Sequence, residues 1–93
     1  YTERKLEGFI LTDATARVAS FLADLSERFG ENKNNKRYLP LSLTHQTIAE
    51  FVGAFRETVT VAVNRLKKEG ILTDERGKIT IVNLKKLREQ ALM

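Results

Sequence analysis

Apolar residues recur along this chain at spacings of three and four over most of its length, and at a spacing of two near its C-terminal end. In DATARVASFLADLSERFG, Val18, Phe21, Leu22, Leu25 and Phe29 follow helical spacing. Thr12 or Asp13 offers an N-cap and Gly30 a C-terminal stop, so a core helix is predicted between them. ENKNNKRYLPLSL is polar, rich in asparagine and holds the single proline, which predicts a loop with a short extended piece over 38–43. THQTIAEFVG predicts a second helix, capped by Thr44, buried through Ile48, Ala49 and Val52, and ended by Gly53. After Gly70, ILTDERGKITIV predicts a hairpin with strands over 71–74 and 78–82 and a turn over 75–77. NLKKLREQAL predicts a short helix capped by Asn83, with Leu84, Leu87 and Leu92 facing inward. At the start, Leu6, Phe9 and Ile10 in YTERKLEGFIL sit at i, i+3 and i+4 and need a partner surface.

FRETVTVAVNRLKKEG, over 55–70, fits two periods. As a strand, Val59, Val61 and Val63 share a face with Glu57, until Arg65 breaks the pattern. As a helix, Val59, Ala62, Val63 and Leu66 fall at i, i+3, i+4 and i+7, and Gly70 sits where a left-handed stop is expected. The segment exceeds the usual strand length of about 5–6 residues. Valine lowers helix propensity by only about half a kcal/mol, which packing of a buried stripe overrides. The helix is therefore predicted over about 55–69. Helix, helix, hairpin in that order gives a mainly α chain with a small β-hairpin: an α+β winged helix-turn-helix.

Charge changes the picture next. Residues 1–32 hold 4 basic and 6 acidic residues, a net of −2, and residues 33–93 hold 12 basic and 6 acidic, a net of +6. A basic C-terminal part points to a polyanion, against the plainer reading of a solvated face. Absence of cysteine and the lone histidine exclude thiolate and histidine-cluster metal sites. No run approaches the ~18 apolar residues that span a bilayer, so no membrane partner and a cytoplasmic location are expected. An enzyme has little support: there is no phosphate loop, ligand cluster or nucleophile–base pair, and His45 and Glu50 match no known constellation.

The predicted helix over 55–69 turns Arg56, Glu57, Thr60, Val61 and Asn64 to one outer strip. In a helix-turn-helix the second helix enters the major groove, with its N-terminal residues at base edges. There Arg56 can donate twice to guanine O6 and N7, Glu57 can accept from cytosine N4, and Thr60 can reach a phosphate or a thymine methyl.

LTHQTIAEFVGAFRETVTVAVNRLKKEGIL followed by GKITI closely resembles the C-terminal DNA-binding domain of the CRP/FNR family of bacterial transcription regulators. Thr44, Gln46, Ile48, Ala49, Gly53, Arg56, Glu57, Thr58 and Val59 carry the family pattern. YTERKLE resembles the end of the family's long dimerisation helix, which divides the chain into a tail over 1–11 and the DNA-binding domain over 12–93. The abrupt start favours an excised domain over a protein that has lost its sensor. The resemblance implies Arg56 and Glu57 as the base-reading pair, and Thr44, His45, Gln46 and Lys78 as phosphate contacts. His45 has the plainer alternative of an idle, exposed helix position. The resemblance also implies a homodimer on a palindromic operator, contact with RNA polymerase, and a separate N-terminal domain binding an effector such as a cyclic nucleotide. No cofactor is expected within the chain itself.

Two positions depart from the family pattern. Val61 stands where many members carry a second arginine, so apolar contact with a thymine methyl replaces guanine reading there. Phe55 stands where a small polar phosphate contact is common, and a structural role is expected of it. A winged-helix module that binds protein instead of DNA is the competing reading; Val61 and Phe55 are its only hints, against the positive charge.

Overall fold

The computed structural model describes the backbone over residues 3–92 and the side chains over 13–92. Helix α1 (Glu3–Phe29) is followed by strands β1 (Glu31–Lys33) and β2 (Lys36–Ser42), helices α2 (His45–Val52) and α3 (Arg56–Lys68), strands β3 (Leu72–Glu75) and β4 (Lys78–Ile81), and helix α4 (Leu84–Ala91). Four helices surround one core, to which α1 contributes Val18 and Leu22, α2 Ile48, α3 Leu66, the sheet Leu72, Ile79 and Ile81, and α4 Leu87.

The ambiguous segment is a helix. Its predicted stripe of Val59, Ala62, Val63 and Leu66 is buried. Gly70 has φ of 74° and Gly53 a φ of 72°, the left-handed conformation that stops each helix at low cost. Thr44 caps α2 by accepting from the Thr47 amide at 3.0 Å, and Asn83 caps α4 by accepting from the Lys86 amide at 3.0 Å.

Several expectations are corrected. Thr12 and Asp13 do not start a helix, because α1 passes through them unbroken. No glycine or proline lies between Phe9 and Phe29, and Asp13 instead faces Arg17 one turn on at 3.7 Å. Leu6, Phe9 and Ile10 lie outside the described side chains. Phe29 lies exposed rather than in the core, as the last residue of α1. Gly30 does not adopt positive φ; its lack of a side chain serves a close approach, since a Cβ there would meet the Ser26 carbonyl oxygen at 2.3 Å. Leu92 is 88% exposed. It follows the last residue of α4, and Ala91 takes the inward position one helical face requires after Leu84 and Leu87.

The stretch over 31–42 is a second hairpin rather than a loop. Asn34 and Asn35, at φ of 54° and 62°, make the two-residue turn with both residues left-handed that matches strand twist. Arg76 and Gly77, at 56° and 87°, make the same turn in the wing. The wing turn is thus two residues long, not three. The hairpins join as one antiparallel sheet in the order β1-β2-β4-β3. Pro40, which has no amide to donate, lies in β2 where the register against β4 shifts between Tyr38 and Ser42.

Candidate nucleic-acid interface

Two helix starts converge on one open cleft lined by Thr44, His45, Gln46, Arg56, Glu57 and Thr60. The geometry begins with the turn. Gly53 in the left-handed region lets α2 end and α3 begin within a few residues. The Arg17 guanidinium donates to the Val52 carbonyl, tying the end of α2 to α1. The stripe of α3 then anchors it against the core, which forces Arg56, Glu57, Val61 and Asn64 to the surface.

Arg56 and Glu57 occupy the first turn of α3, both exposed, with their charged ends 4.0 Å apart. Phe55 precedes them with extended φ and ψ and makes no side-chain cap. A phenyl ring has no acceptor for the first-turn amides, which are left for solvent or an anion. Phe55 is 80% exposed, so it does not pack into the turn as a structural residue would. Val61 is 49% exposed beside the cleft rather than in its lining.

His45 is neither idle nor free. Its Nδ1 lies 2.8 Å from Thr60 Oγ1 on α3, and its Nε2 lies 2.9 Å from Asp74 Oδ2 on β3. The other oxygen of Asp74 accepts from the Gly77 amide at 3.0 Å. One imidazole therefore bridges α2, α3 and the wing. Asp74, with its side chain only 9% exposed, was not singled out from sequence. An aspartate three residues before a turn glycine is a local turn signal, but nothing local points it at a histidine 29 residues away.

The Thr44 hydroxyl serves the cap of α2 and also lies 2.9 Å from the Thr47 hydroxyl. Gln46 is exposed, with its amide donating to Glu50 at 3.4 Å. Lys78 is exposed at the start of β4 and lines a separate groove with Lys36 and Tyr38. The wing turn is fixed by the Leu43 amide donating to the Gly77 carbonyl at 2.7 Å. Among the described residues no cluster of metal-binding side chains occurs, and no helix is long and apolar enough to cross a membrane.

The family model for a Crp-like helix-turn-helix domain matches residues 16–90. The chain is similar to the transcriptional regulator SdrP of Thermus thermophilus, with 34% identity over 95% of this chain and 43% of that protein. It is similar also to the CRP-like cAMP-activated global transcriptional regulator of Mycobacterium tuberculosis, with 33% identity over 97% of this chain and 40% of that one. Among solved structures, the CO-dependent transcription factor CooA from Carboxydothermus hydrogenoformans superposes with a TM-score of 0.83 at 32% identity, covering 92% of this chain and 40% of that one. The chain thus spans about two fifths of the length of these relatives.

Proposed function

This chain belongs to the Crp-like helix-turn-helix family, and on that premise we propose that it binds double-stranded DNA sequence-specifically as the output domain of a transcription regulator. The observation that carries the reading is the exposed start of α3, where Arg56 and Glu57 project from a helix whose opposite face is locked in the core. α3 enters the major groove with that end first. Arg56 donates to guanine, Glu57 accepts from cytosine N4, and Val61 meets a thymine methyl.

The contacts divide by chemistry. Gln46 and Lys78 reach phosphates on either side of α3 and fix its register. Thr44 and His45 support the interface from within, one by capping α2 and the other by holding Thr60. A homodimer on a palindromic operator, contact with RNA polymerase and a cytoplasmic location belong to the same reading. Two relatives are named for cAMP and for carbon monoxide; an effector for the present protein, such as a cyclic nucleotide, would act outside the residues described above.

A salt-titrated binding assay tests the proposal. A duplex selected by the chain from a randomised pool is compared with its scrambled version at ~150 mM salt. Tighter binding of the selected duplex by at least tenfold is expected, since each mismatched pair costs ~1–3 kcal/mol. Equal affinity for both duplexes sinks the claim of specificity.

A further inference from the structure

We propose that Asp74, acting through His45, sets the polarity with which Thr60 meets DNA, and so selects an amino-bearing base edge over a keto-bearing one. The inference deepens the DNA-binding reading and rests on it. It starts at the wing turn. The Gly77 amide donates to Asp74 Oδ1 at 3.0 Å. A carboxylate only accepts, so its other oxygen, 2.9 Å from His45 Nε2, takes a proton from that nitrogen. The ring tautomer is thereby assigned from its partners. With one proton on the imidazole, Nδ1 is left with a lone pair. Thr60 Oγ1, 2.8 Å away, must then donate to it.

A hydroxyl has one proton and two lone pairs. The Thr60 proton is used inward, so only lone pairs face the cleft that Thr60 shares with Arg56 and Glu57. An acceptor pairs with adenine N6 or cytosine N4. It repels guanine O6 and thymine O4, and it has nothing to donate to a phosphate. Thr60 lies one helical turn after Arg56, on the same strip. The wing, which touches no base in this account, thus fixes a base preference on α3. Asp74 and His45 are positioning residues; Thr60 makes the contact.

One substitution reverses the chain of donors. In Asp74→Asn the side-chain oxygen remains the acceptor for the Gly77 amide, which turns the amide nitrogen toward His45. An amide nitrogen only donates. His45 Nε2 must then accept, Nδ1 carries the proton, and Thr60 accepts from it. The Thr60 hydroxyl then turns its proton and one lone pair outward, so guanine and thymine are admitted alongside adenine and cytosine.

The test is selection from a randomised duplex pool at about pH 8, with the 93-residue chain and two variants, read by sequencing. The wild type is expected to favour adenine or cytosine at one position by roughly three- to tenfold, the worth of one hydrogen bond. Asp74→Asn is expected to relax that preference so that guanine or thymine is admitted as well, and Thr60→Val to abolish it, with the position read by Arg56 unchanged in both. A merely structural Asp74 lowers affinity for every sequence and leaves the preference as it was. Unchanged preference in Asp74→Asn, or a preference kept in Thr60→Val, overturns the relay. If Asp74→Asn does not fold, Thr60→Val decides alone. Failure of the wild type to enrich any sequence sinks the DNA-binding reading, and the relay with it.

Discussion

The two faces of α3 differ in every physical respect that bears on function. Val59, Ala62, Val63 and Leu66 face inward and are sealed from solvent. Arg56, Glu57, Val61 and Asn64 face outward with no element over them among the described residues. The inner face is held by packing, which is costly to disturb and indifferent to what lies outside the protein. The outer face contributes little to folding, since an exposed ion pair such as Arg56 with Glu57 is worth at most about 1 kcal/mol. The helix therefore separates stability from readout by about half a turn. Thr60 is the exception: it is half-buried, lies between the two faces, and is tied to His45.

Substitutions on either side should break the comparison in different measurements. Leu66→Ala should have the largest effect, lowering unfolding free energy by about 2–5 kcal/mol in chemical denaturation. A cost below 1 kcal/mol there means α3 is not anchored as described. Arg56→Ala should leave stability within about 0.5 kcal/mol. It should also reduce discrimination at one base pair by ~1–3 kcal/mol in competition binding; uniform weakening across sequences contradicts its role as a base reader. Thr44→Ala should cost about 1 kcal/mol of stability through the lost cap, measured by the same denaturation. Lys78→Ala should have the smallest effect. It should weaken all duplexes alike and reduce the slope of log affinity against log salt by about one.

What the sequence made legible follows from how local each signal is. α2, its turn and α3 were readable because the stripe, the Thr44 cap and the two glycines all lie within one continuous segment. The first hairpin was not, because Glu31, Asn32, Lys33 and Lys36 are all exposed and polar, leaving no alternation to detect. Asn34-Asn35 was the available clue, since asparagine tolerates the left-handed conformation. Leu92 misled because leucine on a short helix reads as core, whereas its position beyond Ala91 turns it to solvent. The bridge from His45 to Thr60 and Asp74 joins residues 15 and 29 apart, and only folding brings them together.

The central claim is that the starts of α2 and α3, with the wing turn, form the surface that meets DNA. Backbone amide chemical shifts of the isotope-labelled chain, followed during titration with its selected duplex, test it most directly. The largest changes are predicted over 44–46, 56–61 and 76–78, with little change around Arg88, whose guanidinium pairs with Glu27 across α4 and α1. Changes centred on α1 and α4, with the start of α3 silent, contradict the account.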